Sequence, residues 1–524
     1  MAFHLRVAQW SQVKQLKNPS IVNARDDMLP RVLCIFITLF FVGCNVAFAK
    51  PKHTNYNPLR LRTLLLNVDK NFPQIKIARL RIQQTKGELT RSLGSFDPSL
   101  STETRSSPIG GYVSEYVDSS INVPTLMNGL QFFGGYRNGQ GDWPVYWQNY
   151  LTNSKGEYRA GFSLPIFRNR QIDKQRTDLW TQAKRIAVNK RELGVTKLTV
   201  FQGAITAYWQ WIQAGRQYKA FCRLLSLANK RQKAINISMQ AGAMSQLVMV
   251  ENKQQIMQRK QLVNQSKMVL KQTARNLSIY YRDTNGRPII PTIHQLPKDE
   301  SGSEKKYISN AQVIENINKH PGLRRLDEYA KIVKLNRDLA KNDLEPLLDI
   351  SASTSKQYGI NGYPLLLPQA ALIGINFKFP MFQREAKGRL IAANSELKQV
   401  LNEKRLLYDQ LKIRLSNLLI AKDTLKKQLT YIRQELKFAS QVAHGENSKF
   451  YAGDSSLFLV NQREQTVTQV ELNLIAADIS LAQTISTIDF FISTNALKTP
   501  TVIEKSKTHT IFPLPFKMRD KLNI

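Results

Sequence analysis

The side chains that most often carry catalytic or metal chemistry are few and scattered in this sequence. No two histidines stand at a metal-ligand spacing, and neither HExxH nor CxxC occurs. No serine occupies a nucleophile elbow, and no pair of acids converges. The six histidines are His4, His53, His294, His320, His444 and His509. The sequence therefore predicts a protein that is not an enzyme and has neither cofactor nor metal site.

A glycine-rich stretch between Gly134 and Gly141 is the nearest approach to a phosphate-binding loop. It lacks the Lys-Ser/Thr pair and the following helix that such a loop needs, so a turn is the better interpretation. The aromatic residues around it fit either a membrane-interface girdle or a packed loop. They are Phe132, Trp143 and Trp147.

The N-terminal region carries an export signal. An apolar core from Leu33 to Phe41 precedes Ala47-Phe48-Ala49, the small-x-small pattern of a signal-peptidase site. The core is shorter than the roughly 20 residues that a membrane-spanning helix requires. Residues 1–49 are thus predicted to be an N-terminal extension and signal peptide, with Met28 as an alternative start.

The three cysteines are Cys34, Cys44 and Cys222. Phe41-Val42-Gly43-Cys44 also resembles a lipobox, so lipidation of Cys44 stays open beside cleavage after Ala49. Either route exports the protein. Cleavage would leave Cys222 alone, which excludes an internal disulfide and favours a buried small apolar residue.

Basic residues outnumber acidic ones, 75 Lys and Arg against 39 Asp and Glu, for a net charge of +36. A polyanion partner has to be considered for such a chain. The basic residues are spread over the whole sequence, whereas nucleic-acid modules concentrate them on one face or arm. We expect a solvated basic surface and no nucleic-acid partner.

Short segments alternate strictly between apolar and polar residues, which predicts strands with one apolar and one polar wall. They are residues 157–164, 348–355 and 373–379. A half-buried strand of a soluble sheet alternates in the same way, but this chain has too few further strands for a soluble sandwich. No later run approaches a membrane-spanning helix, so any membrane crossing is expected to use strands.

Two very long stretches, 170–282 and 384–488, have helical composition and almost no proline. The only predicted breaks lie near Gly242 and Gly453. As one helix, residues 384–443 would be about 90 Å long. Ordinary globular helices are far shorter.

The two halves of the chain match at an offset of 211 residues, which pairs Gly242 with Gly453 and Ser245 with Ser456. Beyond each glycine, apolar residues recur at every seventh position, a pattern that predicts coiled-coil packing. The two series are Met249, Ile256, Val263, Leu270 and Leu277, and Val460, Val467, Leu474, Leu481 and Ile488.

Gly94-Ser95-Phe96-Asp97-Pro98 precedes the first strand, and Gly161-Phe162-Ser163-Leu164-Pro165-Ile166-Phe167 leads into a helix. With these motifs the chain resembles the TolC-like outer membrane efflux protein family, the outer membrane factors. The two Ala-Gly turns with their heptads complete the match, which covers roughly residues 58–490. Four motifs in the correct order within a duplicated frame make the resemblance specific.

The resemblance implies a mainly α fold with membrane β structure: a duplicated helix-strand-strand-helix repeat. Long helices would form a coiled-coil α-barrel, and three subunits with four strands each would share a 12-stranded β-barrel. The implied segments are a first periplasmic helix (50–94), a first β-hairpin with a long loop (95–168), long helices of repeat 1 (169–282), a linker (283–306), a helix opening repeat 2 (307–344), a second β-hairpin (345–382), long helices of repeat 2 (383–490) and an irregular tail (491–524).

The function that the resemblance implies is an outer-membrane channel subunit that extends into the periplasm. It would be a passive export duct for small molecules or proteins in a tripartite efflux or type I secretion system. Its expected partners are two further copies in a homotrimer, outer-membrane lipid, a periplasmic adaptor (membrane fusion protein) and an inner-membrane pump of RND or ABC type. The alternative is a periplasmic coiled-coil scaffold or adaptor without a barrel, which would lack lipid-length alternating segments.

The resemblance also places the helix turns at the periplasmic tip, with Gly242 and Ser245 in one turn and Gly453, Asp454 and Ser456 in the other. Related channels often carry acidic residues just after the second turn, where they form a selectivity constriction. Residues 457–462 contain no carboxylate here. Leu459 and Gln462 are the candidate constriction residues, and the gate is either apolar or uses Asp454.

Overall fold

The computed structural model describes residues 57–297, 317–360 and 369–492. The predicted signal peptide, Cys44, the segment 307–316 and the predicted tail beyond residue 492 lie outside these ranges. The described part of the chain combines long antiparallel helices with one antiparallel sheet.

The first repeat opens with two helices, α1 (Leu61–Asn71) and α2 (Pro73–Leu93), where one helix was predicted over 50–94. Pro73 explains the interruption, because proline has no N–H and is accommodated in the first turn of a helix but not in its interior. A short 3-10 turn (Gly94–Phe96) then leads into the sheet.

The sheet has six strands, whereas the resemblance implies four per chain. They are β1 (Ser99–Ser107), β2 (Ser114–Pro124), β3 (Gln131–Gly141), β4 (Glu157–Pro165), β5 (Leu347–Gln357) and β6 (Gln369–Lys378). The strands follow one another in the order β1-β2-β3-β4-β5-β6, all antiparallel. The predicted long loop of the first hairpin therefore contains a second hairpin, β2–β3. Polar and glycine residues interrupt the alternation of apolar and polar residues in this hairpin. Its backbone pairs with β1 on one side and with β4 on the other.

The long helices end and restart at the two predicted glycines. They are α3 (Lys174–Gln240), α4 (Gln246–Ser278), α5 (Pro321–Asn342), α6 (Arg384–Ala452) and α7 (Leu457–Ile492). With 67 and 69 residues, α3 and α6 are each about 100 Å long. None of the helices in the described ranges has an apolar stretch that could cross a membrane.

The helices pack along the predicted heptad seams. Ile256, Leu270 and Leu277 of α4 are buried, as are Val460 and Ile488 of α7. Seven-residue spacing keeps one stripe of each helix against its neighbour, which is the physical basis of that packing.

The largest core cluster lies midway along α3, where α1, α4 and α7 converge on it. Phe201, Tyr208 and Trp211 of α3 are fully buried there, together with Leu64 of α1 and Leu277 of α4. Each such side chain contributes about 1.5–3 kcal/mol when it leaves water. The cluster therefore holds the two repeats together at one level of the helical region. Cys222, further along α3, is half-buried rather than buried as expected.

Candidate pore-forming site: a two-faced sheet and the helix turns

The strand register divides the sheet into two chemically different faces, because residues opposite each other in antiparallel strands share a face. One face, here called the apolar face, includes Leu100, Ile121, Phe132, Phe162, Ile350, Ile373, Ile375 and Phe377. Within the six strands it carries charge only towards one end, at Glu115 and Lys356. The opposite polar face carries Glu103, Arg105, Asp118, Arg137, Glu157, Arg159, Asp349 and Lys378.

The apolar face is uncovered in the single chain. Ile373, Ile375 and Phe377 of β6 are 77%, 71% and 65% exposed. Contiguous exposed apolar surface of this kind marks contact with another protein or with a membrane.

The charges of the polar face are largely neutralised within the sheet. Arg137 pairs with Glu157, and Arg159 pairs with Asp118. The Tyr116 hydroxyl donates a hydrogen bond of 3.0 Å to Asp118. Paired charges and hydroxyls are suited to a hydrated wall. The two faces predicted for residues 157–164 and 373–379 continue through β1, β2 and β3, where polar and glycine residues take more of the positions on the apolar face.

The aromatic residues flanking the glycine-rich stretch separate between the two faces. Phe132 lies on the apolar face, whereas Trp143 and Trp147 pack on the polar side of the sheet against Tyr116 and Arg105. The two tryptophans therefore belong to a packed loop, and the girdle interpretation is wrong for them.

Strands β1 and β6 form the two edges of the described sheet. An edge strand presents unpaired N–H and C=O groups that pair readily with another strand. Each edge is thus a place where a strand of another chain can pair.

The turn after α3 is a Schellman motif centred on Gly242, whose φ is +75°. The Gly242 N–H donates to the Met239 carbonyl (3.0 Å), and the Ala243 N–H donates to the Ser238 carbonyl (2.9 Å). Positive φ is readily adopted only by glycine, which explains the residue at this position.

The turn after α6 repeats the same bonds 211 residues later. Gly453 has φ +92°, its N–H donates to the Phe450 carbonyl (3.2 Å), and the Asp454 N–H donates to the Lys449 carbonyl (2.9 Å). The predicted correspondence between the two turns is therefore present in the hydrogen bonds as well as in the sequence.

The serines after the two glycines differ in what they bind. The Ser456 Oγ, just before the first residue of α7, accepts a hydrogen bond from the Leu459 N–H with an N···O distance of 3.4 Å. The side chain of Ser245 makes no capping bond to α4. Asp454 is exposed in its turn. Leu459 and Gln462 are both exposed and lie three residues apart, so they share one face of α7.

Glu464, the other acid close to this turn, faces away from that surface. Its carboxylate binds Arg231 of α3 and Arg259 of α4, the latter at 2.8 Å, and both arginines also donate to the Asn461 Oδ1. The Glu464 carboxylate is thereby held in ion pairs between the helices and does not line a pore.

This contact is the first step of an ion-pair ladder between α3 and α7 that sequence reasoning missed. Arg223 pairs with Glu471, and Arg216 pairs with Asp478 at 2.5 Å. The carboxylates at 464, 471 and 478 are spaced by seven, and the arginines meet them in reverse order because the helices are antiparallel. The seven-residue spacing of these carboxylates is the feature of the sequence from which the ladder could have been predicted.

Two buried guanidinium groups share one carboxylate at the first step of the ladder. Burial lowers the pKa of Arg259, and the neighbouring Glu464 opposes this shift. Arg259 also donates to the Leu224 carbonyl at 2.9 Å. The network therefore ties α3, α4 and α7 together near their turns.

A stripe of apolar residues along α6 is exposed in the single chain. Its members are Leu406, Ile413, Ile420, Tyr431 and Phe438. Most are separated by seven residues, the spacing of a coiled-coil seam. The stripe has the pattern of a helix face that packs against another helix.

Solved outer-membrane channels share this architecture. CusC, solved in work on transmembrane channel formation, matches with a TM-score of 0.62 at 11% identity, covering 84% of this chain and 93% of that chain. The Campylobacter jejuni CmeC outer membrane channel gives 0.58 at 13% identity, covering 83% and 85%. VceC of Vibrio cholerae, an outer membrane protein, gives 0.60 at 12% identity, covering 83% and 95%.

No protein-family model and no curated protein sequence matches the chain. The likeness to the solved channels is one of fold. The predicted fold class is confirmed: the chain has the mainly helical, long coiled-coil architecture with an antiparallel sheet that the TolC-like outer-membrane channels have.

Proposed function

We propose that this chain is one subunit of a homotrimeric outer-membrane channel, a passive export duct that extends into the periplasm. The observation that carries the proposal is the two-faced sheet. Its strands have 9 to 11 residues, the length that crosses a bilayer when tilted. An uncovered apolar face suits lipid, and a polar face with paired charges suits a hydrated lumen.

The free edges of the sheet support closure by copies of the same chain. An open sheet cannot lie in lipid with unpaired edges, so β6 of one copy would pair with β1 of the next. Three copies of six strands would close an 18-stranded wall in place of the 12 strands that the resemblance implies. Because barrel diameter grows roughly in proportion to strand number, the lumen would be wider.

The helices support the same assembly. The exposed apolar stripe of α6 would be covered by a helix of the neighbouring subunit, continuing the coiled-coil packing seen within one chain. The Gly242 and Gly453 turns would lie at the far end of the helical tube. There they would meet a periplasmic adaptor and an inner-membrane pump of RND or ABC type, in a tripartite efflux or type I secretion system.

Leu459 and Gln462 would line the constriction at that end. They are exposed and uncharged, and Glu464 is held by Arg231 and Arg259. We therefore propose an apolar and amide-lined gate. The alternative function, a periplasmic scaffold without a barrel, is not favoured, because it has no use for a sheet with an exposed apolar face.

The experiment that tests this proposal is electrophoresis of heated and unheated outer-membrane fractions. The proposal predicts that the protein fractionates with outer membranes and migrates as a trimer that heating converts to monomers. A monomer released with the soluble periplasmic contents would overturn it in favour of the scaffold.

A further inference from the structure

The segment between β3 and β4, residues 142–153, folds back over the polar face of the sheet; we call it the aromatic loop. One end is bonded to the residue just before β2 and the other to β3. The Asp142 N–H donates to the Val113 carbonyl at 2.8 Å, and the Thr152 N–H donates to the Gly139 carbonyl at 2.8 Å. The loop therefore has a defined position on the sheet.

Side chains of the polar face hold the aromatic loop down. The Arg105 guanidinium carbon lies 5.4 Å from the Trp147 ring centroid and 5.3 Å from that of Tyr150. The Tyr116 ring centroid lies 4.9 Å from that of Tyr150 and 6.3 Å from that of Trp143. Cation–π and edge-to-face contacts of this kind stabilise the loop against the sheet.

The loop backbone also approaches the sheet closely. A Cβ added to Gly139, which belongs to the polar face, would lie 1.9 Å from the Tyr150 carbonyl oxygen. Only glycine admits the loop at this distance. Arg105, Tyr116 and Gly139 are all polar-face residues, so three neighbouring strands place the loop on the same side.

The base of the loop is packed while its outermost rings project. Tyr116 and Trp143 are 4% and 9% exposed, whereas Tyr146 is 77% exposed. The loop lies at the end of the sheet opposite the helices, because the chain enters the helices from the other ends of β1, β4, β5 and β6.

We infer that the aromatic loop narrows the outward end of the channel and sets the size limit for molecules that pass there. This inference rests on the proposed function, in which the polar face lines the lumen. Each of three subunits then extends Tyr146 and Trp147 from the wall towards the axis. The wider wall of six strands per subunit is thus constricted at its outward mouth by rings of its own loops.

The test uses a cysteine placed in the lumen on the helix side of the loop. Ser351 is exposed on the polar face, and eight strand positions separate its level from that of Gly139, about 27 Å at 3.3–3.4 Å per residue. Ser351→Cys, in a Cys222→Ser background, is exposed on whole cells to impermeant maleimide–polyethylene glycols of increasing length. Tyr112→Cys, on the outer turn between β1 and β2, is the control for access to the cell surface.

With the native loop, short reagents should modify Ser351→Cys, and long ones should modify only Tyr112→Cys. Adding Tyr146→Ser and Trp147→Ser should raise the labelling rate by long reagents several-fold, with trimer yield measured in parallel. Tyr158→Ser, which removes an exposed ring from the apolar face, should leave that rate unchanged.

Long reagents that label Ser351→Cys as fast as Tyr112→Cys in the presence of the native loop would overturn the inference without requiring any loop variant to fold. An unchanged size limit in the assembled loop variant would overturn it too. Absence of Tyr112→Cys labelling together with absence of an outer-membrane trimer would instead count against the proposed function.

Discussion

Arg231 on α3 and Glu464 on α7 form an ion pair between the two repeats, and Arg259 on α4 binds the same carboxylate. The two arginine side chains are 4% and 2% exposed. Two buried cations therefore depend on one anion at the point where three helices approach their turns. Removing one partner of a buried pair costs more than the pair contributes, because the remaining charge is left in a medium of low polarity.

Replacing Glu464→Gln should destabilise this end of the helices by about 3–5 kcal/mol, because both guanidinium groups lose their counter-charge. Limited trypsin digestion of the purified trimer measures the effect, since cleavage follows local opening of the helices. The matched control is Glu471→Gln, one heptad further along, whose partner Arg223 is 59% exposed. That change should cost under about 1 kcal/mol. Equal digestion rates for the two variants would contradict the role given to the buried pair.

Gly453→Ala should destabilise the α6–α7 turn by about 1–3 kcal/mol, because alanine is strained at φ +92°. Gly445→Ala, inside α6, should stabilise the protein by about 0.5–1 kcal/mol, because glycine is unfavourable in a helix interior. Apart from the adjacent residues and, for Gly445, the backbone of its own helix, no atom of the described chain lies within 4 Å of the Cβ position at either site, so steric clashes do not affect the comparison. Thermal unfolding of the purified variants measures both. Shifts of the same sign would argue against the turn geometry.

The stability of the protein should fall as the pH is lowered from about 6.5 to 4, in part through His320. Burial, with a contribution from Arg414, lowers the pKa of His320 from 6.5 to about 4. Its Nδ1 accepts the Gly322 N–H at 3.1 Å at the start of α5, which requires the unprotonated ring. Between pH 6.5 and 4 the His320 imidazole binds a proton in the unfolded chain but not in the folded chain. The stability that depends on the neutral ring is therefore complete above pH 6.5 and is lost as the pH falls towards 4.

The contribution of His320 is at most about 3.5 kcal/mol, from about 1.4 kcal/mol for each pKa unit. The measurement is the midpoint of heat-induced trimer dissociation at pH 7 and at pH 5, in the native protein and in His320→Asn. Asparagine caps a helix without titrating, so the variant should lose part of the pH dependence. An identical fall in both proteins would rule out His320 as a source of it.

Leu459→Asp should increase the preference of the channel for cations in planar-bilayer recordings, because three equivalent carboxylates in a narrow pore attract counter-ions. Leu80→Asp is the control, an exposed position on α2 remote from the turns, where selectivity should not change. Unaltered selectivity of a correctly assembled Leu459→Asp trimer would show that this face of α7 does not line the constriction.

The long helices and their turns could be predicted because their signals are local and repeated. A seven-residue apolar seam and a glycine after a long helix specify where a helix packs and where it ends. The hairpin β2–β3 could not be predicted in this way. Residues 131–141 contain four glycines, so their assignment to a strand depends on pairing with β2 and β4.

The candidate site was predictable only in part, for a related reason. Sequence position places Glu464 near the second turn, but the direction of its side chain depends on how α3 and α4 pack against α7. In a sequence, carboxylates at every seventh position have the same pattern on a solvent-exposed helix face as in a buried ion-pair ladder, so the spacing alone does not distinguish the two. The aromatic loop posed the same difficulty, since Trp143 and Trp147 suit lipid and protein contacts equally well until the fold of the loop is known.

If the sheet is the wall of a membrane channel, alternate residues along β6 face the lumen and the lipid, and single cysteines placed there distinguish the two sides. Single cysteines at Leu372, Ile373, Ile375 and Asn376, in a Cys222→Ser background, are treated with a small charged maleimide in isolated outer membranes. We expect modification at 372 and 376, which face the lumen, and protection at 373 and 375, which face lipid. Uniform modification of all four positions, or protection of 372 and 376 alone, would contradict it.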